Sequence, residues 1–121
     1  MGMNVQMSNP EVAEEIRKWL LWYIRETGID GLRLDAVKHI SFSFYKDLLQ
    51  NVRRELGTGL PAVGEYWNAD LGRLLYYLDQ VNGEMSLFDV ALHYQFFNAS
   101  QAGGEYDLRH IFENTLIEQR P

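Results

Sequence analysis

The chain has no cysteine, which removes disulfides, thiolate metal sites and cysteine nucleophiles. That absence suits the cytosol and a secreted bacterial protein equally, so the compartment stays open. Long apolar runs are missing too. The longest, "WLLWYI" from Trp19 to Ile24, falls far short of the roughly 20 residues a bilayer demands. The opening "MGMNVQMSNP" carries neither the basic nor the apolar segment of a secretory signal. A soluble chain with no membrane partner is the expectation. Positive charge is scarce: eleven Lys and Arg face seventeen Asp and Glu, for a formal charge of −6. Lys46, Arg53 and Arg54 come nearest to a basic patch, and they read as the solvated face of a helix. Nucleic acid is therefore not an expected partner.

What the chain does have is aromatic and apolar substance. Six Phe, seven Tyr and three Trp in 121 residues argue against disorder. "SNPEVAEEIRKWLLWYIRETG" reads as a helix, capped by Ser8 or Asn9, with Pro10 in its first turn and Gly28 to end it. Val12, Ile16, Trp19, Leu20 and Tyr23 recur on one face, and Trp19, Trp22 and Tyr23 read as core. "GLRLDAV" (31–37) is then a strand and "SFYKDLLQNVRREL" (43–56) a helix with Phe44, Leu48, Leu49 and Val52 as its apolar stripe. "LPAVGEYW" (60–67) is a second strand, with Pro61 tolerable only near its start. "ADLGRLLYYLDQV" (69–81) is a helix weakened by Gly72, and "SLFDVAL" (86–92) a third strand. A polar loop around Gly103 and Gly104 and a last helix from Asp107 to Gln119 complete the pattern.

Strands alternating with helices mean βα units and a parallel sheet, hence an α/β fold. Three strands are too few for a closed barrel of eight, which takes about 250 residues. The chain is thus either an unusually small α/β domain or a piece of a larger one.

"DGLRLDAVKH" (30–39) is odd for a strand, because Arg33 and Asp35 interrupt its apolar residues. Burying such a pair costs several kcal/mol unless each group is matched. Side chains alternate along a strand, so Leu32, Leu34 and Ala36 suit a helix-facing side, and Arg33, Asp35 and Val37 the other. In "AVGEYW", Val63, Glu65 and Trp67 share a face in the same way. Both carboxylates fall near C-terminal strand ends, the edge where parallel α/β proteins place chemistry. Adjacent strands lie about 4.8 Å apart, so Asp35 and Glu65 can enter one mouth. Two carboxylates about 5 to 5.5 Å apart can cleave a glycosidic bond with retention, one as nucleophile and one as acid. Arg33 would keep Asp35 ionised and placed, while Tyr66 and Trp67 give Glu65 apolar surroundings that favour a protonated acid. Trp67 also offers a stacking face to a sugar. On spacing alone, a structural Arg33–Asp35 ion pair and a merely solvated Glu65 stay open.

The motifs themselves go further. "GLRLDAVKH" resembles the second signature of the α-amylase family of glycoside hydrolases, G-F-R-x-D-A-x-K-H, and "VGEYW" resembles its third. "FSFYKDLLQNVRRELG", "NADLGRLLYYL" and "SLFDVALHYQFFNASQAGGEYDLRHI" are similar to the bacterial liquefying type, so the likeness covers nearly the whole chain. The resemblance implies a fragment of a TIM (β/α)8 barrel, about strands four to six with flanking helices. Residues 1–121 would then belong to a single catalytic domain with no second domain. It implies endo-hydrolysis of α-1,4 links in an α-glucan such as starch, with Asp35 as nucleophile, Glu65 as acid/base and Arg33 holding the nucleophile. Lys38, His39, Tyr66 and Trp67 would contact sugar. The family's first and fourth signatures, the latter with a third carboxylate, are not present. Leu32 stands where phenylalanine is usual.

Calcium is also implied, with the His39 main-chain carbonyl and Asn4 as candidate ligands. Asn4 and Gln6, however, occupy positions where the liquefying type usually carries aspartate, and neutral amides bind hard cations weakly. Alternatives are an α-glucosidase or glucanotransferase of the same family, or a non-catalytic fragment that folds and associates. Three parallel strands would leave two unpaired edges and a barrel-facing apolar surface, which favours self-association. His93 and His110 lack partners at metal-ligand spacing and read as structural or solvated. For Asp89, capping or packing is favoured over lining a pocket. No phosphate loop or G-x-S-x-G motif occurs.

Overall fold

Three parallel strands in the order β1-β2-β3 form the centre of a computed structural model that describes residues 6–121. Helix α1 (Pro10–Thr27) precedes β1 (Leu32–Leu34), α2 (Phe42–Leu56) leads to β2 (Ala62–Gly64), and α3 (Leu71–Gln80) leads to β3 (Ser86–Leu87). Helix α4 (Val90–Gln101) and the single turn α5 (Leu116–Gln119) follow. The sheet is open, and helices α2 and α3 pack against one face of it.

Local chemistry sets the helix ends. The Asn9 side chain accepts the Glu11 N–H at 2.9 Å, Pro10 occupies the first turn, and Gly28 at φ 66° closes α1 by donating to the Ile24 carbonyl. Ser41 caps α2, Gly57 at φ 67° ends it, and Asp70 caps α3 through the Gly72 N–H at 2.8 Å. Such caps contribute about 1 kcal/mol each.

Three apolar clusters follow from the helix faces. Val37, Tyr45, Leu49, Ala62, Tyr77, Val81 and Met85 fill the space between the sheet and helices α2 and α3. Leu20, Leu21 and Ile24 of α1 meet Leu48, Val52 and Leu60. Leu74, Val90, Ala91 and Leu116 join α3, α4 and α5. At the N-terminal rim, Arg53 donates to the Leu60 carbonyl at 2.9 Å, the Glu84 carboxylate at 2.5 Å and the Glu84 carbonyl at 2.7 Å. One side chain thereby ties α2 to the segments entering β2 and β3.

Several expectations need correction. The first strand ends at Leu34 instead of running to residue 37, for a reason given below. The third strand is only Ser86–Leu87: Asp89 accepts the Leu92 N–H at 3.0 Å and starts α4, so the residues after it are helical. The Asp89 carboxylate also accepts the Ile117 N–H at 2.9 Å, which bears out its capping role. The final helix is broken into a 3-10 turn (Leu108–His110) and α5. Trp19, Trp22 and Tyr23 are not core: they are 56%, 57% and 38% exposed, because α1 turns Leu20, Leu21 and Ile24 toward α2. Among the described residues no helix is long and apolar enough to cross a membrane.

Gly64 is where the packing is tightest. A Cβ there would lie 2.7 Å from Met85 Sδ, 3.2 Å from Leu87 Cδ2 and 3.3 Å from Val37 Cγ1. Gly64→Ala should therefore destabilise the chain by about 1–3 kcal/mol, as overpacking does. Urea denaturation monitored by circular dichroism measures this, and an unchanged midpoint would refute it.

Candidate active site

The C-terminal ends of β1 and β2 bring Arg33, Asp35 and Glu65 together. Arg33 pairs with Val63 in the ladder, on the face away from the helices. Its Nη1 donates to Asp35 Oδ1 at 2.7 Å, and its Nη2 lies 3.4 Å from Glu65 Oε2. One guanidinium thus bridges both carboxylates, and the ring of Phe88 lies 5.9 Å from its central carbon. The Asp35 side chain is 72% exposed and that of Glu65 25%. Two carboxylates so placed repel each other, and a cation between them offsets that cost.

The strand itself is bent at this point. The Glu65 N–H donates to the Leu34 carbonyl at 2.8 Å, as a parallel ladder requires. The next bond in a regular ladder would run from the Ala36 N–H to the Glu65 carbonyl. Instead Val37 makes it, at 3.0 Å, so one residue is inserted. That is a β-bulge, with Ala36 in the left-handed region at φ 46°, ψ 45°. A left-handed alanine costs about 1–2 kcal/mol. The bulge ends β1 early and leads into the 3-10 turn Val37–His39, with Val37 fully buried.

Lys38 and Trp67 lie on the rim of the same mouth, where Lys38 Nζ donates to the Trp67 carbonyl at 3.3 Å. His39 ends the turn and is exposed. Tyr66 faces the other way: its ring packs 4.9 Å from that of Tyr77, within the apolar clusters. It is a packing residue, as strand alternation between Glu65 and Trp67 requires. Tyr45 lies beneath the mouth, and burial, followed by the charge of Asp35, pushes its hydroxyl above the usual tyrosine range. Glu65 is also less apolar in its surroundings than its sequence neighbours imply, since the Ala36 N–H donates to its Oε2 at 3.3 Å.

Sequence reasoning missed an aromatic row beside the mouth. Trp67 lies 5.1 Å from His93, His93 5.1 Å from Tyr94, and Tyr94 6.5 Å from Phe97, centroid to centroid. His93, Tyr94 and Phe97 belong to α4. The Asp89 cap signal would have revealed that helix, and with it the row.

Calcium has little to bind among the described residues. They contain no group of three or more His, Asp or Glu side chains placed to hold a metal. The His39 carbonyl supplies one oxygen, Gln6 is a neutral amide, and Asn4 lies outside the described residues. This donor set does not fit a hard divalent cation, which prefers several carboxylate oxygens.

Comparison with known proteins places the chain in a family. The family model described as Alpha amylase, catalytic domain, matches residues 3–119. An alpha-amylase of Geobacillus stearothermophilus is 48% identical over the whole chain, which spans 22% of that protein. An alpha-amylase of Bacillus licheniformis is 46% identical, again over the whole chain and 24% of its own length. A cytoplasmic alpha-amylase of Escherichia coli is 43% identical over the whole chain and 24% of its length. Among solved structures, an alpha-amylase from Geobacillus thermoleovorans complexed with acarbose superposes with a TM-score of 0.67 at 28% identity. That match covers 75% of this chain and 20% of that one. The chain therefore spans less than a quarter of the length of these relatives. Its three strands are an unclosed portion of a TIM-barrel sheet. A family-model match over residues 3–119 and relatives up to 48% identical over the whole chain make it a member of the alpha-amylase catalytic-domain family.

Proposed function

We propose that the chain is part of the catalytic barrel of a retaining, α-amylase-type glycoside hydrolase acting on α-1,4 links of starch or glycogen. The observation that carries this is the Arg33 bridge between Asp35 and Glu65. In the first step an Asp35 oxygen attacks the anomeric carbon while Glu65 gives its proton to the departing glycosidic oxygen. The product is a glycosyl ester on Asp35 and a free sugar hydroxyl. In the second step Glu65, now ionised, takes a proton from water as that water displaces Asp35. Arg33 keeps the Asp35 carboxylate anionic and aimed. Lys38, His39 and Trp67 border the leaving-group side, and the row from Trp67 to Phe97 supports stacking against sugar faces. The open edges of β1 and β3 support self-association of the isolated chain.

The mouth of the isolated chain is wet. Water at Asp35 weakens every electrostatic contribution that an enclosed site would supply, and the family's third carboxylate is absent from the sequence. We expect the 121-residue chain to release no reducing sugar from soluble starch. A longer protein containing it should do so, and lose at least about a thousandfold in kcat with Asp35→Asn or Glu65→Gln. Full activity in either variant would remove the assignment. Starch cleavage by the short chain, abolished by Glu65→Gln, would show that its site is already complete.

Calcium is tested separately. With the neutral donors described, EDTA should leave the thermal midpoint of the chain unchanged. A midpoint that falls with EDTA and returns with added calcium would restore a resident ion.

A further inference from the structure

Glu65 is held from two directions by the segment that carries Asp35. Its carbonyl accepts the Val37 N–H at 3.0 Å, and its Oε2 accepts the Ala36 N–H at 3.3 Å. Both bonds follow from the single inserted residue. Without it, Ala36 would donate to the Glu65 carbonyl and have nothing left for the carboxylate. With it, Val37 takes over the sheet bond and the Ala36 N–H turns to the side chain. The left-handed conformation of Ala36 persists because its surroundings hold it. Val37 is fully buried on one side, and the 3-10 turn is closed by His39 N–H to Ala36 O at 3.1 Å and Ile40 N–H to Val37 O at 3.3 Å.

We propose that Ala36 is a positioning residue, whose main-chain amide, released from the sheet by the bulge, sets the direction of the Glu65 carboxylate relative to Asp35. The inference rests on the acid/base role of Glu65 given above. It adds a second hold of a different kind from Arg33. The arginine is a long, half-exposed side chain with rotamers to lose, whereas a main-chain N–H one residue from Asp35 has none. The spacing between nucleophile and acid is thereby written into the backbone. Position 36 should accept alanine or glycine and reject β-branched residues, which tolerate the left-handed region poorly.

The test is nuclear magnetic resonance on this chain. In an Asp35→Asn background, which silences the neighbouring carboxylate, the residue-36 amide proton should move downfield as Glu65 ionises, with the same midpoint as the Glu65 carboxyl carbon. Adding Glu65→Gln should make that amide flat with pH. Ala36→Gly should keep the shared midpoint, and Ala36→Val should lose it. An amide that stays flat through the Glu65 titration overturns the proposal, as does Ala36→Val with coupling intact. Should Ala36→Val fail to fold, the Asp35→Asn and Glu65→Gln comparison decides alone, since both substitutions keep the size of the side chain and leave residue 36 an alanine. A flat amide leaves the acid/base assignment of Glu65 standing. Hydrolysis untouched by Glu65→Gln in the longer protein removes that assignment and leaves the amide coupling measurable.

Discussion

Two carboxylates at the ends of neighbouring strands repel, and a fold that brings them together has to supply something positive between them. Arg33 does so from the strand that also delivers Asp35, and its guanidinium is wide enough to meet an oxygen of each group. The pairing of β1 with β2 is what makes one arginine sufficient, because it sets Arg33 beside Val63 and so within reach of Glu65 two residues on. The tight contact at Gly64 belongs to the same constraint. A Cβ there would press on the side chains of Met85, Leu87 and Val37, directly beneath the strand that delivers Glu65.

Two groups of charges occupy opposite rims of the sheet. At the C-terminal rim Arg33 and Asp35 are exposed and the backbone is strained at Ala36. At the N-terminal rim Arg53 and Glu84 are largely covered, and Gln50 adds a 3.0 Å bond to the same carboxylate. Strain at a site persists only where surrounding structure over-determines it. Here Val37, buried in the main cluster immediately after the strained residue, provides that restraint. Tyr77 carries a further cost, since its hydroxyl is buried without a partner among the described residues and burial pushes its pKa strongly upward.

Much of this was legible in the sequence. Asn9 acts through a local hydrogen bond, so the cap of α1 could be read directly, whereas Ser41 and Asp70, which cap α2 and α3 in the same way, were passed over. The carboxylates at positions 35 and 65 could be read because strand alternation is strictly local. What escaped depended on distant partners. The bulge at Ala36 is visible only once Glu65 is seen to bond with Val37 instead. The face that α1 buries was misjudged because Trp19 and Trp22 are large and apolar, yet the position of α2 selects Leu20, Leu21 and Ile24. "FDVAL" reads as a strand by composition, and only the Asp89 side chain, bonding forward to Leu92, makes it a helix start.

Arg33 is about half exposed on its strand face, with the ring of Phe88 beside it, and this has an electrostatic corollary. A pair of unit charges 4 Å apart attracts by about 1 kcal/mol in bulk water and by about 4 kcal/mol at the lower permittivity near a protein surface. The grip of Arg33 on its two anions is therefore at its weakest in the bare sheet. Any further wall that excludes solvent from that side would raise the Coulomb attraction severalfold, against the cost of taking all three charges out of water.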